Sequence, residues 1–263
     1  GIRGVGKTTT ARIVAKMLNC TAFDKNNNPD LINCEQAKAI TEDRHPDVIE
    51  IDAASNTSVE NAREIIENVK YNPVLGKYKV YIVDEVHMLS KSAFNALLKT
   101  LEEPPPHSKF IFATTEISKV PITILSRCQR FDLRRVEKKT LSDFLKSIAK
   151  KEDITISNEA LNLIVKASDG SVRDSLSILD QANIFKSQKE IQVEEIVNML
   201  GFAKQSDLYE LSKCIFDNNL SKLISMLDDM YQRGSETSKI IEDMMNIINL
   251  SLIHISEPTR QLA

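Results

Sequence analysis

Tryptophan is absent from this 263-residue chain, and aromatic residues make up only 5% of it. That scarcity argues against extensive stacking of nucleobases on aromatic side chains as a binding mode. No apolar run is long enough to span a bilayer and no signal-peptide pattern is present, so no membrane partner is expected. Cysteine is sparse: Cys20, Cys34, Cys128 and Cys214 are too widely spaced to frame a disulfide scaffold. They read as reduced thiols of a cytoplasmic protein. An excess of one charge is also missing. Thirty-four Lys and Arg stand against 37 Asp and Glu, a net charge of −3. That balance argues against a broad nucleic-acid-binding surface and leaves room only for a local basic patch. What the chain does have is 42% hydrophobic residues, enough for one large or two to three small domains.

The first eight residues, Gly1-Ile2-Arg3-Gly4-Val5-Gly6-Lys7-Thr8, fit G-x-x-x-x-G-K-[ST] without a mismatch. The glycines let backbone N–H groups turn inward around a phosphate chain, and the lysine reaches the β/γ oxygens. The threonine hydroxyl faces Mg²⁺, and the following helix adds its positive end. Thr9 to Leu18 continues as an amphipathic helix, which separates the motif from a glycine-rich turn that binds nothing. Gly1, Gly4, Val5, Gly6, Lys7, Thr8 and Thr9 are thus the candidate nucleotide-binding residues at this end. A phosphate loop follows a buried strand, yet nothing precedes Gly1 and no initiator Met is present. The chain reads as a fragment whose first strand has been cut off. At the other end, Leu250 to Arg260 looks like the conceptual translation of a sequencing-library adapter, so 250–263 is set aside as artefact; the alternative is a helix end broken by Pro258.

Between these ends the patterning alternates. Thr21 to Asn33 is a polar, Asn-rich loop or small insertion. Val48-Ile49-Glu50-Ile51-Asp52 is a short strand. Ser58 to Tyr71 carries apolar residues at helical spacing and stops at Asn72-Pro73. Lys79 to Asp84 suits a strand buried on both faces. Ser92 to Leu101 is helical, and Phe110 to Thr114 is another buried strand. This α/β alternation predicts a parallel sheet with helices on both faces. After about Arg135 the pattern is helical only: a capping-box start at Thr140, a helix from Ser157 to about Ala167, and another from Ser171 to about Phe185. Further helices follow over Val193 to Leu200, Asp207 to Phe216, Leu220 to Gln232 and Glu236 to Leu250.

Asp84-Glu85 closes the second buried strand, where ligands of open parallel sheets gather. Beside a phosphate loop, Asp84 would help hold Mg²⁺ with Thr8, and Glu85 would orient the attacking water. Thr115, with Thr114 adjacent, is placed to sense the γ-phosphate or that water. Arg127, in Ser126-Arg127-Cys128, is a candidate arginine finger. Cys128 itself reads as a small packing residue. Arg173 occupies a first helical turn, where a positive charge is disfavoured by the dipole, which hints at a contact with nucleotide phosphate. His87 reads as a structural histidine.

Taken together, Gly4 to Arg12, Ile49 to Ser55, Asp84 to Ser90, Phe94 to Pro105, Leu125 to Cys128 and Gly170 to Leu176 resemble the gamma/tau family of bacterial DNA polymerase III subunits. These are the motors of the replicative sliding-clamp loader and members of the AAA+ ATPases. The resemblance runs from Gly1 to about Leu250. It implies an AAA+ P-loop NTPase domain over 1–136, a small helical lid over 137–201 and the start of a helical collar over 202–249. It implies Walker A at Lys7 and Thr8, Walker B at Asp84 and Glu85, sensor 1 at Thr115, sensor 2 at Arg173, and Arg127 inserted into the neighbouring subunit's ATP site. ATP and Mg²⁺ are the implied cofactors. The implied partners are other clamp-loader subunits in a hetero-oligomeric ring, the sliding clamp, primer–template DNA gripped without sequence preference, and the polymerase core through a C-terminal region beyond this chain. Lys91 and Lys99 are candidate DNA contacts, and no polymerase site of its own is expected. One departure concerns zinc. The family carries four zinc-binding cysteines after the first helix, but here only Cys20 and Cys34 stand, with Leu31 and Ala37 near the other two positions. Two thiolates do not close a tetrahedral site, so zinc is expected to be lost. A non-hydrolysing subunit of the same ring, or another AAA+ DNA-remodelling ATPase, are the competing readings; the intact Gly6, Lys7, Thr8 and Glu85 weigh against the first.

Overall fold

The computed structural model describes residues 1–24, 28–55, 58–185, 190–201 and 205–232, with 237, 238, 240, 241, 244 and 245 beyond them. Two compact units emerge: Gly1–Glu137 with Gly170–Asp174, and Lys138–Asp169 with Ser175–Ala263.

The first unit runs α1 (Lys7–Asn19), α2 (Glu35–Thr41), β1 (Val48–Asp52), α3 (Val59–Val69), β2 (Lys79–Asp84), a 3-10 turn (Val86–Met88), α4 (Lys91–Glu102), β3 (Ser108–Phe112), a second 3-10 turn (Ile117–Lys119) and a one-turn α5 (Ile122–Leu125). The three strands are parallel in the order β1-β2-β3, with Val48 opposite Val80 and Lys79 opposite Ser108. Successive side chains of a strand point to opposite faces, and β2 uses both. Val80 and Ile82 pack on Ala11 and Ala15 of α1. Tyr81 packs on α3 and α4 through Ala62, Ile65, Val69, Ala93 and Leu97. Val83 joins Ala53, Val86, Phe94, Val120 and Ile124. A strand apolar on both faces thus becomes the centre of a helix–sheet–helix sandwich, each fully buried Val or Ile contributing about 1.5–3 kcal/mol.

Two local expectations are corrected, and one helix was not foreseen. β3 is Ser108–Phe112 rather than Phe110 to Thr114, and it is only partly buried, because it borders the described sheet and pairs only with β2. Helix α2 was not legible: it has seven residues and buries only Ala37 and Ile40, too few for a readable period. The helix expected from Thr140 starts at Lys138, so Thr140 matches the capping pattern from inside the first turn.

The loop between α3 and β2 is held by two buried polar side chains. The Asp47 carboxylate accepts the backbone N–H groups of Val74, Leu75 and Gly76, each at 2.7 Å. Asn19 accepts from the Tyr78 N–H at 2.8 Å and donates to its carbonyl at 2.9 Å. Burial pushes the Asp47 carboxyl upward, but the three N–H groups overcome it and leave the group below its ordinary value. A depressed folded pKa contributes stability that is complete above the unfolded value and disappears as pH falls through the folded one. Replacing Asp47 by Ala is therefore expected to cost about 2–4 kcal/mol at neutral pH. The deficit should shrink in strong acid, measured by urea denaturation at both pH values; a pH-independent deficit would refute this role.

The second unit is helical: α6 (Lys138–Lys151), α7 (Asn158–Ala167), α8 (Val172–Phe185, whose first three residues belong to the first unit), α9 (Val193–Leu200), α10 (Gln205–Phe216) and α11 (Leu220–Gln232). Ser157 caps α7 by accepting from Ala160 N–H at 3.2 Å, and Ser171 accepts from Asp174 N–H at 3.2 Å ahead of α8. Leu141, Leu145, Leu161, Ile164, Leu179 and Ile196 are almost wholly buried. Leu208, Leu211 and Met230 form a separate core of α10 and α11. The helix expected over Glu236 to Leu250 falls mostly, and the adapter-like 250–263 entirely, outside the described residues.

Candidate active site

The loop before α1 is shaped by its glycines. Gly4 and Gly6 have φ of 73° and 93°, a left-handed backbone that costs an L side chain about 1–2 kcal/mol. At Gly4 a Cβ would also lie 2.0 Å from Ser171 Oγ. At Gly6 it would meet nothing within 4 Å, so there the backbone conformation alone demands glycine. Gly1 is closely backed as well, since a Cβ on it would sit 2.7 Å from the Leu133 carbonyl oxygen. Val5 is half-buried and Thr9 exposed at the mouth of the helix.

Helix α1 starts beside the carboxyl end of β2. Thr8 Oγ1 donates to Asp84 Oδ2 at 2.5 Å, and the other Asp84 oxygen accepts from the Glu85 N–H at 2.8 Å. Lys7 Nζ donates to the Ile2 carbonyl at 2.9 Å, which keeps the ammonium over the loop. Glu85 is strained, with φ of 44°. Its carboxylate accepts from Thr115 twice, from N–H at 3.1 Å and from Oγ1 at 2.9 Å. Thr115, rather than Thr114, is thus the threonine that touches this acid. Thr114 Oγ1 instead meets His87 Nδ1 at 2.9 Å, and that nitrogen is 3.4 Å from Glu85 Oε2.

Two candidates lie apart from this corner. Arg127 donates to the Thr123 carbonyl at 2.6 Å and pairs with Glu102; among the described residues its partners include none from the loop before α1. Arg173 touches the loop through its backbone, its N–H donating to the Gly4 carbonyl at 3.1 Å, while its side chain is exposed.

Family models match nearly the whole length in three parts. One described as DNA polymerase III, delta subunit covers residues 1–137. One described as DNA polymerase III clamp loader subunit, ATPase lid domain covers 140–188. One described as DNA polymerase III subunits gamma and tau domain III covers 191–262. The DNA polymerase III subunit gamma of Buchnera aphidicola subsp. Schizaphis graminum is 41% identical over 249 residues, 95% of this chain and 68% of that protein. The chain belongs to the gamma/tau family of DNA polymerase III subunits. The subunit tau of Bacillus subtilis (strain 168) is 44% identical over 260 residues, and that of Escherichia coli (strain K12) 39% over 257. This gamma/tau chain spans 45% and 40% of their respective lengths. Among solved structures, the RuvB Holliday junction branch migration motor of Thermotoga maritima superposes with a TM-score of 0.51 at 17% identity, covering 94% of this chain and 88% of that one. The shared architecture is the AAA+ fold.

The gamma/tau family raises the question of zinc. Cys20 and Cys34 are brought together and buried, packed with Ala22, Leu31 and Ala37. Burial pushes the Cys34 thiol up, but the N–H groups of Ala37 and Thr21 and a hydrogen bond from Cys20 reverse this and bring it to about 6. Leu31 and Ala37 fill the cluster with hydrocarbon, and among the described residues no group of three or more His, Cys, Asp or Glu is placed to hold a metal. The donor set does not fit a tetrahedral zinc. His45, just past the insertion, already accepts the Asp47 N–H on Nδ1 at 3.1 Å.

Sequence reasoning missed several neighbours of this gamma/tau site: Ser171 against Gly4, Glu102 against Arg127, and the bidentate Arg12–Glu50 pair at 2.6 and 2.8 Å. Each partner lies 25 or more positions away in the chain, and no local spacing announces it.

Proposed function

We propose that this chain is an ATP-hydrolysing subunit of the DNA polymerase III clamp loader, using ATP to load the sliding clamp onto primer–template DNA. The observation that carries the reading is one corner at the carboxyl end of β2 where Thr8, Asp84, Glu85 and Thr115 are linked by hydrogen bonds of 2.5–3.1 Å. The cradle fits a triphosphate: backbone N–H groups of Gly4 to Thr8, with Gly1 and Thr9 at its edges, would bind the phosphates, and Lys7 would reach the β/γ oxygens. Thr8 and Asp84, already in contact, would hold Mg²⁺. That ion supplies neutralisation of charge on the phosphate oxygens. Glu85 would orient water, and Thr115 would position Glu85. Arg173 would reach the phosphates, and Arg127 would act on a neighbouring subunit's site. In the assembled ring, ATP binding would open the clamp and grip DNA, and hydrolysis would release both. DNA contact would be independent of sequence, with exposed Lys91 and Lys99 contributing. Polymerisation belongs to other subunits, and the polymerase core would attach through a region beyond this chain. The protein would act in the bacterial cytoplasm.

The domain division we propose is 1–136, 137–201 and 202–249; the break between the first two family matches, at 137–140, lies beside the first boundary, whereas the break between the second and third, at 188–191, falls ahead of the second. Zinc is read as lost, so metal analysis of the purified protein is expected to find well under one equivalent; a full equivalent would overturn that. The functional reading is tested by ATP turnover with and without partner subunits, clamp and primed DNA. Stimulation only in their combined presence is expected. Nucleotide binding without turnover under every condition would assign the chain to a non-hydrolysing role instead.

A further inference from the structure

The second unit contains a basic cleft that nothing in the ATPase reading uses. It lies between α6 and α7, encloses about 510 Å³, and is lined by Lys138, Lys139, Lys146 and Lys166 against a single acid, Asp143. The whole chain is net acidic at −3, so four lysines to one aspartate is a strong local inversion. We propose that this cleft is a binding surface for the phosphate backbone of duplex nucleic acid.

Three features support a phosphate ligand. None of the four lysines forms an ion pair with another described residue, so their charge is not already neutralised within the fold. The first turn of α6 has no acidic residue, yet it holds Lys138 and Lys139, where the helix dipole disfavours cations by about 0.3–1 kcal/mol each. A seated anion would remove that conflict. Finally, Ser142 and Asn162 supply neutral hydrogen-bonding groups to the same wall, the side-chain types that join Lys in contacts to phosphate oxygens.

The geometry favours an extended backbone over a small anion. Lys139, Lys146 and Lys150 follow one face of α6 at seven- and four-residue steps, about 10 and 6 Å along the axis. The 14-residue helix is about 21 Å long, over which one strand of a duplex presents about six phosphates. No aromatic residue lines the cleft, so it has no platform for unstacked bases, and duplex is favoured over single strand. Lysine point charges position such a backbone without reading its sequence.

This inference does not rest on ATP chemistry, and its test is separable from it. Binding of a fluorescently labelled 30-bp duplex to the whole chain is followed by anisotropy across a salt series, for the native sequence and for a K139Q/K146Q/K166Q variant. The variant is expected to bind at least tenfold more weakly at low salt. Its slope of log affinity against log salt should fall by about 2.7, which is 0.9 per lost phosphate contact, equally for unrelated sequences. ATP affinity should stay unchanged, which also reports an intact fold. An unchanged slope overturns the proposal, even if the chain binds DNA elsewhere. Loss of turnover alone would count against the ATPase reading and leave this cleft standing.

Discussion

Replacing Arg127 by Ala is expected to leave the ATP affinity of the isolated chain unchanged and to cut turnover in the assembled ring by about 10³–10⁵-fold, the range for removing an arginine finger. In this chain the guanidinium is held by Glu102 and the Thr123 carbonyl, with about a third of the side chain exposed and about half of Glu102's. A pair so open to solvent is worth at most about 1 kcal/mol. It therefore orients Arg127 without trapping it, and its loss does not threaten the fold. The measurements are nucleotide titration of the isolated chain and steady-state turnover of the ring. Turnover unaffected by the substitution would remove Arg127 from the mechanism, and weakened binding in the isolated chain would mean that it serves its own site.

Lys7→Ala carries the second large effect. Charge-assisted hydrogen bonds contribute about 1.5–3 kcal/mol each, and a lysine bridging β and γ oxygens makes two or more. ATP affinity should fall by at least about 100-fold, measured by calorimetric titration. The fold should survive, because among the described residues the ammonium's hydrogen bond goes to the Ile2 carbonyl alone and Ala is the best helix former at the opening of α1. Normal affinity would refute the cradle.

Much of the candidate site's geometry could be read in the chain because its parts are short and local. The loop needs glycine at Gly4 and Gly6 for a backbone reason, and the left-handed φ angles supply it. The run from Lys79 to Asp84 announced a strand buried on both faces, and Tyr81 and Ile82 are indeed shielded on opposite sides. Boundaries were less legible where burial is one-sided or brief. β3 borders the described sheet and carries the exposed Lys109, and α2 hides behind a polar stretch. The choice between Thr114 and Thr115 was open to one residue, because a strand end does not reveal which way each hydroxyl turns.

By itself, the sequence determined the alternation of strands and helices, the glycine-rich loop before α1 and the acids at the end of β2. These rest on steric and periodic rules that act within a few residues. Only the tertiary structure decided which distant groups meet. Thr8 reaches Asp84 across 76 positions, and Thr115 reaches Glu85 across 30. Ser171 closes on Gly4, and the lysines of α6 and α7 share one cleft. Such encounters are set by how a parallel sheet and its helices pack, and packing joins residues by proximity in space, which no local spacing encodes.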